Sequence, residues 1–157
     1  MKKGMMSLFY LCAIGSTLFV SRNIQAEETV VEYEVTGQYT LVIPSRVTLN
    51  TNSSTTMAIK TVNRNLESDK EVEVLLTEGL ASDGEIELTR VNASGTLRSS
   101  IKVEGNGVKA TNPIIGKFSG FVLEETEVAS IEFGAPQGQR LAGVYDTTLT
   151  FAASYID

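Results

Sequence analysis

Apolar residues occupy every second position through most of this chain, the spacing typical of β-strands that bury one face. The longest such segment runs from Leu141 to Tyr155 and reads LAGVYDTTLTFAASY, so that aromatic and aliphatic residues alternate with small or polar ones. A strand of this length would span a small β-domain. The pattern therefore predicts one continuous strand here, which closes the sheet.

Shorter segments of the same alternation fill the rest of the chain, and Gly, Pro or Asn separates each from the next. We predict them as strands at 29–35, 39–43, 57–62, 72–76, 86–88, 97–103, 118–123 and 129–133. No segment has convincing helical spacing. About nine short strands with regular turn signals indicate an all-β fold, a single antiparallel β-sandwich of Greek-key (immunoglobulin-like) type.

Three residues are predicted to have structural roles. Pro44 should end the strand before it, because proline has no N–H to donate to a neighbouring strand. Gly143 and Tyr145 stand in the spacing Leu141-x-Gly-x-Tyr, which resembles a tyrosine corner, where a tyrosine hydroxyl bonds back to nearby backbone. The alternative is that Tyr145 is an ordinary strand aromatic.

The first 26 residues have the features of an export signal. Lys2 and Lys3 precede a mostly apolar run from Met5 to Val20, and Ala26 offers a small residue before an acidic segment. We predict a signal peptide at 1–26, cleavage near Ala26 and a single domain at 27–157. A retained anchor is the alternative, but the apolar run is interrupted and short for a membrane span. The protein is therefore expected to be secreted or bound at the cell surface, with no membrane insertion of the mature chain.

Composition narrows the possible chemistry. The chain has no histidine, and its single cysteine, Cys12, lies inside the predicted signal. Histidine-dependent nucleophilic catalysis, disulfides and thiolate metal sites are therefore not expected in residues 27–157. We predict no catalytic residue, no cofactor and no metal site. The net charge of −6 opposes binding to nucleic acid or to anionic membranes.

Acidic and aromatic residues are the remaining candidates for a functional site. Asp83-Gly84-Glu85 resembles a fragment of a calcium loop, but it is too short to supply the usual six or more oxygen ligands. The acidic run at 124–127 is predicted to be a solvated loop, although it could pair with a cation or a basic partner. The tyrosines are expected in the core rather than as a platform for sugar rings; they are Tyr33, Tyr39, Tyr145 and Tyr155.

Two motifs resemble those of secreted surface proteins from Gram-positive bacteria (Firmicutes). Tyr39–Leu49 reads YTLVIPSRVTL, and Ala142–Phe151 reads AGVYDTTLTF; both resemble segments of the WxL-type cell-surface proteins. This resemblance implies an extracellular β-sandwich that associates non-covalently with peptidoglycan or with other surface proteins. The chain has no Trp, so the Trp-x-Leu signature is absent and no binding residue is transferred from the family.

The sequence therefore predicts a non-enzymatic surface module, with a structural or adhesion role, that binds a cell-wall component or another surface protein. One alternative is self-association into a fibre or matrix, in which the alternating Val31, Tyr33 and Val35 pair with a neighbouring sheet. Glu32 and Glu34 oppose that pairing, because charge on an edge strand discourages it. A second alternative is a polysaccharide hydrolase that uses two carboxylates.

Overall fold

A computed structural model describes residues 32–156 of the chain. The predicted signal peptide at 1–26 lies outside the described residues. The chain divides into two units: Met1–Glu34, described here only from Glu32, and the compact Val35–Asp157. The predicted domain start at residue 27 also lies outside the described residues.

The compact unit is built from β-strands, and no helix occurs among the residues described. This confirms the predicted all-β class. The strands are β1 (Gln38–Val42), β2 (Thr55–Asn65), β3 (Glu71–Glu78), β4 (Glu85–Arg90), β5 (Thr96–Val103), β6 (Asn106–Gly107), β7 (Ile114–Ser119), β8 (Phe121–Val122), β9 (Thr126–Phe133), β10 (Tyr145–Asp146) and β11 (Thr150–Ile156).

The strands form two antiparallel sheets. The larger has the order β1-β2-β9-β5-β4-β10, with β6 added beside β5 and β8 beside β2. The smaller has three strands in the order β11-β3-β7. A large curled sheet and a small second sheet, both antiparallel, are the arrangement expected of a β-sandwich.

The core lies where the alternating apolar residues of both sheets meet. In β3, Val72, Val74 and Leu76 are buried while the residues between them are only half-buried, as the period of two predicts. Removal of these aliphatic groups from water is the main favourable term in folding. The other buried apolar residues are Met57, Ile59, Leu66, Ile86, Leu88, Leu97, Ile101, Val108, Ile115, Phe118, Ala129, Ile131 and Phe133.

The segment Leu141–Tyr155 is not one strand, contrary to the prediction. It contains β10, which pairs with β4 in the larger sheet, and β11, which pairs with β3 in the smaller sheet. The break coincides with an interruption in the partner, because β3 ends at Glu78 and β4 starts at Glu85. A strand that follows two partners across this gap must bend, and the register shifts between Thr150 and Phe151.

A second predicted strand, 118–123, is divided in a similar way. β7 ends at Ser119 in the smaller sheet, and β8 starts at Phe121 beside β2 in the larger sheet. Gly120 lies between them with a φ of 74°, a left-handed conformation that glycine adopts without a steric penalty. The chain therefore changes sheets at Gly120.

The predicted strand at 29–35 is wrong at residues 32–35. Residues 29–31 lie outside the described residues, and 32–35 are not in a strand. The Tyr33 side chain is 90% exposed and Val35 is 55% exposed. Alternation shows that a segment suits a sheet, but a strand forms only where a neighbour accepts its hydrogen bonds. The total of eleven strand segments, against about nine predicted, reflects this loss, the two divided strands and the added β6.

Candidate functional site

β11 is the longest edge strand without a charged residue in the described fold. β11 pairs with β3 from Thr150 to Ile156, and no other described strand pairs with it. In an antiparallel strand, alternate residues direct their N–H and C=O groups away from the paired neighbour. About half of the N–H and C=O groups of β11 therefore point outward and could pair with another strand.

The side chains of β11 do not oppose a further strand. Its sequence, TFAASYI, contains no charged residue and no proline. The exposed positions near the centre, Ala152 and Ser154, carry small side chains. Edge strands in monomeric proteins are commonly protected by lysine, proline or a bulge. On β11 the only such feature is the register shift at its start, between Thr150 and Phe151.

The face of β11 that carries Phe151 and Ala153 packs against the core. Phe151 and Ala153 are partly buried and pack against the core cluster. The Tyr155 ring meets Tyr39 edge-on, with 5.9 Å between ring centroids, and Tyr39 in turn meets Phe118 at 5.1 Å. Burial, and secondarily the nearby Tyr155, raise the pKa of Tyr39. A partner strand would therefore meet a preformed edge, which lowers the entropic cost of binding.

β11 differs from the other edges in charge or in length. β7, the opposite edge of the same sheet, carries Lys117 and follows directly on Pro113. The Lys117 Nζ lies 2.6 Å from Glu73 Oε1 and 3.6 Å from Glu71 Oε2, and the hydrogen bond to Glu73 raises the pKa of Lys117. β1, an edge of the larger sheet, is also uncharged and also has a register shift, between Gln38 and Thr40, but it has only five residues against seven in β11.

Pro44 follows β1, which ends two residues earlier at Val42. The chain does not resume a strand after it. Val47 and Leu49 are partly buried against the core without strand pairing. The apolar alternation beyond Pro44 therefore contributes packing but no ladder of hydrogen bonds.

Tyr145 and Gly143 lie where the chain turns into β10. The Tyr145 hydroxyl donates to the Leu141 carbonyl oxygen at 3.1 Å, the hydrogen bond that a tyrosine corner requires. The Arg90 guanidinium donates to the Ala142 carbonyl. At Gly143, where φ is +153°, a Cβ atom would lie 2.6 Å from Arg90 Nε. These contacts fix the path of the chain before it reaches β11.

The two carboxylates of Asp83-Gly84-Glu85 both form ion pairs with the guanidinium group of Arg98. Arg98 Nη2 lies 2.5 Å from Asp83 Oδ2, and Arg98 Nη1 lies 3.3 Å from Glu85 Oε2. The hydrogen bond from Arg98 is the main cause that lowers the pKa of Asp83. Both carboxylates are thus engaged by arginine. No group of three or more potential metal ligands occurs among residues 32–156.

The acidic run at 124–127 contains a second ion pair, since Glu125 Oε1 lies 2.6 Å from Lys60 Nζ. This hydrogen bond is the main cause that raises the pKa of Lys60. Both side chains are exposed by about half, so the pair is a surface interaction that contributes little to stability.

The interior holds no carboxylate pair in the part of the chain that the structure describes. The buried polar residues there are Thr61 and Ser99, and the Ser99 hydroxyl donates to the Gly134 carbonyl at 2.7 Å. The tyrosines divide between two environments. Tyr39 packs on the core, but Tyr33 and Tyr155 are exposed, so the prediction that they are core residues is wrong for these two.

Comparison with known proteins gives no family assignment. No protein-family model matches the chain, and none of the curated proteins is significantly similar to it. Within residues 32–156, no helix is long and apolar enough to cross a membrane. The relation to WxL-type surface proteins remains a hypothesis, which rests on the two motifs. The candidate functional site is therefore the open edge of β11.

Proposed function

We propose that this protein is a non-enzymatic module of the cell surface that binds another surface protein by adding a partner strand to β11. The open, uncharged edge of β11 is the observation that carries the proposal. Strand addition is a common mode of peptide recognition, in which backbone hydrogen bonds supply much of the affinity.

The nature of the edge favours a protein partner over a wall polysaccharide. An extended peptide presents N–H and C=O groups at the spacing of a β-strand, and it can pair with every second residue of β11. A glycan lacks that repeat. Sugar rings are more often held by exposed aromatic residues, and the only large exposed side chain of β11 is Tyr155.

Secretion, the Gram-positive source and the relation to WxL-type proteins belong to the same proposal. They rest on the signal-like residues 1–26 and on the two terminal motifs. We propose further that the two sheets form a sandwich of Greek-key, immunoglobulin-like type. The changes of sheet between β7 and β8 and between β10 and β11 support this, because strands that switch sheets make the corners of such folds.

The test is to measure retention of the chain from Glu27 on cell walls of the producing organism, prepared with and without their proteins. We expect retention only on walls that keep their proteins. Ala152→Lys should weaken it about tenfold or more, which corresponds to loss of one or two hydrogen bonds of about 1 kcal/mol each. Ser119→Lys is the matched control, because it adds the same charge at the opposite edge of the sheet and should leave retention unchanged.

Equal retention on protein-free walls would overturn the proposal of a protein partner. If Ala152→Lys leaves retention on protein-bearing walls unchanged, β11 is not the binding edge. Circular dichroism of both variants separates a lost contact from a lost fold.

A further inference from the structure

The structure identifies an edge, and the sequence supplies a strand that suits it. Building on the proposed function, we propose that the strand added to β11 is residues Thr29–Val35 of a second copy of this chain. The two copies would associate by antiparallel pairing between this segment and β11.

The N-terminal segment has the pattern of an unpaired strand. Val31, Tyr33 and Val35 alternate with Glu32 and Glu34. In the described part, Tyr33 is 90% exposed and Val35 is 55% exposed. These apolar side chains would leave water if the segment joined a sheet edge. It is also as long as β11, which has seven residues.

The two faces of the segment match the two faces of β11. On the inner face of β11, Phe151 and Ala153 are only partly buried, so Val31, Tyr33 and Val35 would extend the apolar surface beside them. On the outer face, Glu32 and Glu34 would lie next to the small, uncharged Ala152 and Ser154. Cross-strand neighbours of like charge are destabilising, and β11 carries none.

The next strand does carry acidic residues on that outer face, and one lysine offsets part of their charge. Glu73 is directly opposite Ser154 in the ladder. Lys117 from β7 lies 2.6 Å from Glu73 and 3.6 Å from Glu71. The glutamates of an added strand would therefore be separated from these partly neutralised carboxylates by the uncharged β11.

Antiparallel pairing requires a second copy. An ideal Cβ at Gly37 would lie 3.7 Å from the Tyr155 hydroxyl, so the chain leaves Val35 near the C-terminal end of β11. If the segment lay along β11 of its own chain, their C-terminal ends would lie together and the pairing would be parallel. Every strand pair in the described fold is antiparallel, the slightly more stable form.

Cysteine cross-linking tests this pairing directly, because residues 27–157 contain no cysteine. Glu32→Cys is combined with Ala152→Cys or, to allow a two-residue shift in register, with Ser154→Cys. Residues opposite each other on one face of an antiparallel pair are within reach of a disulfide. Mild oxidation of the chain from Glu27, followed by electrophoresis without reductant, should give covalent dimers and higher multiples.

The matched control combines Glu32→Cys with Ser119→Cys, which places the second thiol on β7 at the opposite edge. We expect cross-linking at Ala152 or Ser154 to be about ten times faster than at Ser119, because pairing raises the effective concentration of the two thiols. Sedimentation should also show that self-association of the unsubstituted chain is lost in Ala152→Glu, whose carboxylate would lie beside those of Glu32 and Glu34, and kept in Ser119→Glu.

Equal rates in the three cysteine pairs, or a chain that stays monomeric at every concentration, would overturn the inference. The proposed function would survive that result if retention on protein-bearing walls still depended on Ala152→Lys. Loss of that dependence as well would show that β11 is not a binding edge at all.

Discussion

The small sheet has two edges, β7 and β11, which share the central strand β3 and yet differ in protection. β7 has a charged residue, Lys117, and begins directly after Pro113. β11 has neither. The aromatic side chains that pack each strand against the core differ too, since Phe118 of β7 is 4% exposed while Phe151 of β11 is only partly buried. An edge that is both closed to partners and firmly packed thus lies opposite one that is open and more lightly packed. This asymmetry fits the proposal that β7 contributes chiefly to stability and β11 chiefly to recognition.

The largest expected effect is on the packing of the two edges. Phe118→Ala should lower the free energy of unfolding by about 3–5 kcal/mol, the usual cost of removing a buried aromatic ring. Phe151→Ala should cost about half as much, because less of its ring leaves water on folding. Urea denaturation of both variants measures the difference. Equal losses would remove the proposed division between a stabilising edge and a lightly packed one.

The next largest loss of stability is expected at Gly116, where β7 approaches β9 closely. A Cβ at Gly116 would lie 2.7 Å from the Val128 carbonyl oxygen and 2.9 Å from Ala129 Cβ. Gly116→Ala should therefore destabilise the protein by about 1–3 kcal/mol, the usual range for overpacking. Gly107→Ala is the control, because a Cβ there has no atom within 4 Å. Thermal unfolding compares them; similar melting temperatures would show that β7 can shift away from β9.

A smaller effect is expected where the chain approaches β11. Tyr145→Phe removes the hydrogen bond to the Leu141 carbonyl and should lower the free energy of unfolding by about 1 kcal/mol. Tyr33→Phe is the control, because the Tyr33 side chain is 90% exposed. If chemical denaturation gives the same value for both variants, Tyr145 is an ordinary strand aromatic and does not anchor the path to β11.

The smallest effect is the pH dependence contributed by Lys117. Its pKa is raised in the folded protein, first by the hydrogen bond to Glu73. The stability that this interaction contributes is therefore fully present below the lysine pKa of the unfolded chain and is lost as pH rises through the folded pKa. Lys117→Met should flatten the decline in melting temperature across that alkaline range. An unchanged slope would show that the ion pair at β7 is fully screened.

Much of the fold follows from the alternation of apolar residues. Val72, Val74 and Leu76 are buried as the period of two predicts, because a strand with one core face must place every second side chain there. The bend between β10 and β11 could not be predicted in this way. It depends on where the partner strands β3 and β4 end, and that information lies far from the bent segment in the sequence.

The candidate site was only partly accessible from sequence. The uncharged composition of β11 is plain in the chain, but its position at an edge is a property of strand order. Local sequence does not determine which neighbour a strand pairs with. The same limit explains the error at residues 32–35, whose alternation matches that of paired strands although no described strand pairs with them.

The proximity of Gly37 to the Tyr155 hydroxyl has a mechanical consequence. The start of β1 and the end of β11 therefore lie at the same end of the compact unit. At that point each of these strands pairs with one neighbour, β1 with β2 and β11 with β3. A force that pulls these two ends apart would load the pairs Gln38–Asn65 and Ile156–Glu71 first. Each ladder would then unzip one pair at a time instead of shearing along its whole length, so the module would yield at low tension while its central strands remained paired.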